Sequence, residues 1–238
     1  MRLSSVIAVA IALFLPAAGL AQPPLPQAPA SLAEAERGSG EWVEYKSLED
    51  RFTANFPGQP TVTQTTYKSQ YGVELPARVY NATLRAGRYM LTVVDYSRVE
   101  PLLAEKAKSC PPAAETCLGS ATSDSTGVGN WRVDYNGAIA YAIRSFVLSD
   151  SKVTEFLWAN PDLVSGQLIQ MIAHDGSRTF AAIYMHEQRL YIIKATVPSA
   201  YPEPSLFTQS LEWLDEKGNS IRYRSVYHHS FPPPPRSR

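Results

Sequence analysis

The sequence predicts an α+β fold: a single domain built on a twisted, mostly antiparallel sheet with a few flanking helices. Three observations carry that prediction. Short runs rich in β-branched and aromatic residues alternate apolar with polar in both halves of the chain, and turn residues separate them. Three other segments repeat their apolar residues at helical spacing. Between a Pro/Ala-rich start and a Pro-rich end lie about 185 residues of ordinary apolar content, over 41–227, enough to bury a real core.

The chain opens with Met1-Arg2-Leu3-Ser4-Ser5, an apolar run from Val6 to Leu15, and Gly19-Leu20-Ala21. One positive charge, a short apolar stretch and a small-x-small end predict a secretory signal peptide over 1–21, cleaved after Ala21. Pro16 breaks the run well short of the roughly 20 residues a membrane span needs. No later run approaches that length either, so no stable membrane insertion is expected. Residues 22–40, "QPPLPQAPASLAEAERGSG", lack core-forming aromatics and predict a flexible lead-in. Without Arg2 the chain has 21 basic and 22 acidic residues, a balance that offers no electrostatic footprint for nucleic acid.

The domain begins with "WVEYK" (42–46) and "RFTANF" (51–56), two strands across a polar turn. Phe56-Pro57-Gly58-Gln59-Pro60 ends the second: Pro57 cannot donate to a ladder, and Gly58 tolerates positive φ. Regular alternation then points Phe52 and Phe56 inward together. "TVTQTTYK" (61–68) is the next strand, and Arg85-Ala86-Gly87 joins "LPARVYNATL" (75–84) to "RYMLTVVDYSR" (88–98) as a hairpin. The last of these is apolar on most of both faces, which places it near the middle of a sheet covered on both sides.

"EPLLAEKAK" (100–108) predicts a short helix that ends at the Cys-Pro-Pro loop. Cys110 and Cys117 enclose six residues, and in an oxidising compartment so close a pair predicts a local disulfide. Residues 119–130 form a polar Gly/Ser-rich loop. "NGAIAYAIRSFVLS" (136–149) predicts a helix, with Asn136 or Asp134 as its cap. Four strands follow: "KVTEFLWA" (152–159), "GQLIQMIAH" (166–174), "RTFAAIYMH" (178–186) and "RLYIIKATV" (189–197). Asp175-Gly176 and His186-Glu187-Gln188 make the short turns between the last three. "EPSLFTQSLEWL" (203–214) predicts an amphipathic helix with Leu206, Phe207, Leu211 and Leu214 on its stripe. "SIRYRSVY" (220–227) reads as a final strand, and 228–238 as a Pro-rich disordered tail.

No catalytic, cofactor-binding or metal motif appears: there is no Gly-x-Ser-x-Gly elbow, no His-Glu-x-x-His and no phosphate-binding loop. His174 and His186 read as solvated turn residues, and His228-His229 lacks a third ligand. Asp95, Glu155 and Asp162 are carboxylates without a telling spacing. Trp42, Trp131, Tyr45, Tyr71 and Tyr135 can line an apolar groove, although core packing is the commoner use of such residues.

Three segments, "RFTANFPGQP" (51–60), "RLYIIKATVP" (189–198) and "LFTQSLEWL" (206–214), resemble the PsbP/Mog1-like group of small exported bacterial domains. The resemblance spans about residues 42–226 and specifies a fold rather than a chemistry. It implies an α/β/α sandwich, with helices over the faces of an antiparallel sheet, and roles as accessory factors or binding modules. With the short signal it also implies the periplasm of a Gram-negative bacterium; in a eukaryotic host, Asn81-Ala82-Thr83 would accept a glycan.

The expectation is therefore an exported, non-catalytic binding or accessory module that acts through an envelope protein partner. Phe207 and Trp213 are its candidate partner- or ligand-facing side chains. The alternative is a small-molecule or lipid carrier with an apolar cavity between the sheet and the 203–214 helix. A hydrolase is the third reading, with His174 or His186 meeting an acid and a serine in space.

Overall fold

Strand β9, Arg189–Val197, shows how a period of two builds this molecule. Its Leu190 and Ile192 join one buried cluster, while Tyr191, Ile193 and Ala195 join another. A strand buried on both faces belongs inside a covered sheet, and β9 is the fourth of seven strands. The computed structural model describes residues 42–111, 130–228 and 233–236. It orders the large antiparallel sheet as β3 (Thr61–Lys68), β4 (Glu74–Leu84), β5 (Gly87–Asp95), β9, β8 (Arg178–His186), β7 (Gly166–Ala173) and β6 (Ser151–Ala159). β5 sits beside β9; Tyr89, Leu91 and Val93 are buried on one face, while on the other Val94 is buried, Met90 and Thr92 are half-buried and Arg88 is exposed. All described residues belong to one compact unit.

Helices α1 (Val99–Lys108) and α2 (Asn130–Val147) cover one face of this sheet. Leu103, Ile139, Ile143 and Phe146 pack there against Leu75, Val94, Ile183 and Leu190. α2 starts earlier than the sequence predicts, so Asp134 and Asn136 lie inside it rather than at its cap. The Asp134 carboxylate is buried and accepts the Ser69 hydroxyl at 2.5 Å. It thus ties the helix to the turn after β3.

The opposite face carries a second, three-stranded sheet of β1 (Trp42–Ser47), β2 (Phe52–Pro57) and β10 (Glu212–Trp213). Phe52 and Phe56 both point inward with no exposure, and Gly58 takes φ 88° at the Phe-Pro-Gly turn. That turn is punctuation with an aromatic anchor. The helix expected over 203–214 is reduced to the single turn α3 (Ser205–Thr208). Tertiary pairing overrides the amphipathic stripe: Ser210 Oγ accepts the Asn55 N–H at 2.8 Å, and Trp213 pairs with Phe52 across β10 and β2. The two long helices thus cover one face, while the small sheet and the single turn α3 cover the other.

The strand expected over 220–227 does not form. Its backbone makes isolated bridges instead, Leu214 to Ser220, Tyr223 to Arg236 and Val164 to Tyr227, while Ile221, Tyr223 and Tyr227 are buried as anchors. Residues 233–236 fold back on the domain where disorder is expected: Arg224 N–H donates to the Pro235 carbonyl (3.1 Å), and Arg236 pairs with Glu187 (2.6 Å). The expected signal peptide, the 22–40 lead-in and Cys117 lie outside the described residues.

Candidate functional site

Two hairpin turns meet at one end of the large sheet. The β1–β2 turn runs through Leu48–Glu49–Asp50–Arg51 and places Arg51 at φ 55°. The β8–β9 turn is Glu187–Gln188, with φ 43° and 62°. Two-residue turns of this hand favour Asn and Gly, because other side chains clash at positive φ. Neighbouring residues hold these in place. The Glu187 N–H donates to Tyr227 Oη (3.3 Å), the Gln188 N–H donates to Tyr135 Oη (3.4 Å), and the Gln188 carbonyl accepts the Tyr96 N–H (2.8 Å). Arg51 pairs with Glu187 at 3.4 Å and so links the two turns. Non-glycine residues at positive φ cost about 1–3 kcal/mol each and gather where a surrounding structure over-determines them.

Between these turns and the sheet lies a cleft of about 270 Å³, lined by Glu49, Asp50, Gln64, Arg78, Asp95 and Arg189 among others. Its wall is rigid. Asp50 is 2 % exposed and accepts Arg78 Nε (2.7 Å), Arg78 Nη2 and Tyr80 Oη (2.5 Å). Ser47 Oγ lies 3.1 Å from Tyr80 Oη, and the Asp50 carbonyl accepts Tyr191 Oη at 2.8 Å. Arg78 Nη1 reaches Glu49 at 2.5 Å. Burial, and then the hydrogen bond to Asp50, push the Tyr80 phenol well above its usual range. A buried carboxylate held by a two-pronged guanidinium and a phenol is a charge-assisted network that fixes geometry.

His186 lies inside the molecule rather than in solvent, where its turn position predicts it. It is fully buried, its Nε2 is 2.7 Å from Tyr223 Oη, and its ring stacks on Trp213 at 4.8 Å and 32°. Burial pulls its pKa down to about 3, so the imidazole is neutral at pH 7. His174 is the exposed one, 3.1 Å from Asp150.

Phe207 and Trp213, expected on a partner-facing surface, are both 0 % exposed. Phe207 packs on Phe56 (5.0 Å) and Tyr89 (5.5 Å), and Trp213 on Tyr184 and Tyr191. Both belong to the buried cluster between the large sheet and the small one. The five groove aromatics are split by the large sheet. Trp42 and Tyr45 pack on the small-sheet side, while Trp131, Tyr71 and Tyr135 pack on the helix side. Asp95 and Glu155 sit on β5 and β6, with β9, β8 and β7 between them, and Asp162 instead faces Arg222 at 3.6 Å.

A second exposed feature is strand β6, an edge of the large sheet. Phe156, Leu157 and Trp158 are 54, 51 and 70 % exposed. The opposite edge, β3, is equally open, and its exposed residues are polar apart from Val62, 43 % exposed. β6 has polar residues in its first half, but only β6 presents three large apolar residues in a row. The alternation of "KVTEFLWA" finds the strand but not its place in the sheet, so the sequence alone cannot single it out.

Among the described residues no group of three or more His, Cys, Asp or Glu could hold a metal ion, and no helix is long and apolar enough to cross a membrane. A search with protein-family models finds no match to the chain, and a search of curated proteins finds none either.

Proposed function

We propose that the protein is an exported, non-catalytic binding module that docks an extended segment of an envelope protein along the β6 edge. The observation that carries this reading is the contrast between the two edges of one sheet. Unpaired strand edges recruit other strands unless charge, proline or cover prevents it. β3 follows that rule with mostly polar side chains around Val62, whereas β6, an edge strand among the described residues, presents Phe156, Leu157 and Trp158 in a row. An added strand would gain main-chain hydrogen bonds from the β6 backbone and side-chain burial from those three residues. The bulge between Val153 and Glu155 splits the pairing of β6 with β7 into 151–153 and 155–159, and the apolar run lies within the second, unbroken stretch.

A photo-crosslinking residue at Leu157, in the cells that produce the protein, tests the proposal against the same probe at Thr63 on β3. A discrete adduct at 157, absent at 63 and lost when Phe156→Asp and Trp158→Asp are combined, is expected. Equal adducts at both edges, or none at 157 in well-expressed protein, would sink it.

Export and the PsbP/Mog1-like relationship belong to the same proposal. Their support is the signal-like residues 1–21, the three resembling segments and an antiparallel sheet with helices on one face. Export predicts a mature chain that begins at Gln22 and a bridge between Cys110 and Cys117. N-terminal sequencing and intact mass with and without reductant check both, and two alkylatable thiols in the native protein would exclude the bridge.

A further inference from the structure

Asp95 and Arg189 are opposite each other in the register of β5 and β9, and both line the cleft beneath the two turns. Opposite charges directly across an antiparallel pair normally attract and pair. Here they do not: among the described residues neither forms an ion pair. Asp95 accepts only the Ser97 N–H (2.8 Å), and Arg189 makes only long contacts to the carbonyls of Glu187 (3.4 Å) and Glu49 (3.5 Å). Every other charge in the cleft is engaged, since Arg78, Asp50 and Glu49 form one network. One carboxylate and one guanidinium are thus left open to the same cavity.

We propose that this cleft binds a small zwitterion of the α-amino-acid class, its carboxylate on Arg189 and its ammonium on Asp95. Three features of the site select that class. Facing residues on an antiparallel pair hold their Cβ atoms about 5 Å apart, so one compact ligand with adjacent opposite charges reaches both. The volume of about 270 Å³ suits a metabolite and is below the usual range for drug-sized ligands. Pro76 and Val93 add an apolar portion to the lining, which favours a short aliphatic side chain. The guanidinium fork recognises a carboxylate in two-pronged fashion, and the Asp50–Arg78–Tyr80 network keeps the wall fixed before the ligand arrives. This binding is separate from the β6 edge: β5 and β9 lie in the middle of the sheet, and β6 is at its rim.

The probes are L-leucine, 4-methylpentanoate, which lacks the ammonium, and isopentylamine, which lacks the carboxylate. Each is titrated into ¹⁵N-labelled protein while amide shifts at Asp95 and Arg189 are followed. L-leucine is expected to shift both saturably, with a Kd on the order of 1 mM or tighter, and each analogue to bind at least about tenfold more weakly. Arg189→Gln and Asp95→Asn should each weaken L-leucine by about tenfold or more and leave the unfolding midpoint unchanged. Should either variant misfold, the analogue series on the unaltered protein decides the question alone. The proposal is overturned if L-leucine produces no saturable shift up to about 20 mM. It is equally overturned if 4-methylpentanoate matches L-leucine, which would make the cleft an anion site, or if isopentylamine matches it, which would make it a cation site.

Discussion

Asp50 is the residue on which the turn and the cleft wall both depend, and its environment makes its loss measurable. Its carboxylate is buried against Arg78 and Tyr80. Removing one partner of a buried ion pair leaves an uncompensated charge, so Arg78→Ala should cost about 3 kcal/mol in urea unfolding. Tyr80→Phe removes a single hydrogen bond to a charged group and should cost about 1.5 kcal/mol. Equal small losses would mean that water already compensates the Asp50 carboxylate. His186 gives a pH signature. Its folded pKa, about 3, is below the unfolded value, so the unfolded chain takes up a proton first as pH falls. Its contribution is present above the unfolded pKa and is lost as pH drops from about 6.5 toward 3, with a slope nearing about 1.4 kcal/mol per pH unit. Thermal unfolding between pH 7 and 5 should lose that slope in His186→Phe, and an unchanged slope would place the proton elsewhere. Neither residue was legible in the sequence. The partners of His186, Tyr223 and Trp213, are far along the chain, and a histidine beside a turn looks solvated until those aromatics close over it.

At the scale of elements, periodicity reads well wherever neighbours in sequence pair in space. The hairpins β4–β5, β7–β8 and β8–β9 are such cases, since alternation and turn residues specify both partners locally. It fails at 203–214, where a helical stripe and a turn followed by a strand bury the same Phe207, Leu211 and Leu214. What decides between them is the open edge of β2, which claims Trp213, and the Ser210 hydroxyl, which takes the Asn55 N–H. The substitutions that separate the two arrangements follow from exposure. Phe207→Ala should cost about 3–5 kcal/mol as a core cavity, whereas Leu206→Ala, at a position 52 % exposed, should stay within about 0.5 kcal/mol. Ser210→Ala should cost about 1–2 kcal/mol because it strands the Asn55 N–H. A helix over 203–214 would instead favour alanine at 210, so a stabilising Ser210→Ala would restore that assignment.

For the whole molecule, the split into two sheets is the part that composition and periodicity leave open. β1 and β2 alternate like any other strands, β10 lies in a segment that reads as helical, and nothing local assigns the three to a separate layer. That choice belongs to long-range burial: Phe52, Phe56, Phe207 and Trp213 meet Tyr80, Tyr191 and Tyr184 from the large sheet. The two hydrophobic clusters never merge, but they share the same strands. Ile183 and Leu190 face the helices, and their chain neighbours Tyr184 and Tyr191 face the small sheet. A strand cannot lose one face and keep its register on the other, because its side chains alternate by single residues. Unfolding should therefore be one cooperative transition despite the two cores. Phe146→Ala on the helix face and Phe56→Ala on the small-sheet face should each lower the urea midpoint by an amount corresponding to about 3–5 kcal/mol. In each variant, far-UV circular dichroism and tryptophan fluorescence should report the same midpoint. If Phe146→Ala moved only the part of the signal due to Trp131, and the rest stayed at the wild-type midpoint, the helix layer would be a separately melting unit. The large sheet would then be a platform for it rather than a shared core.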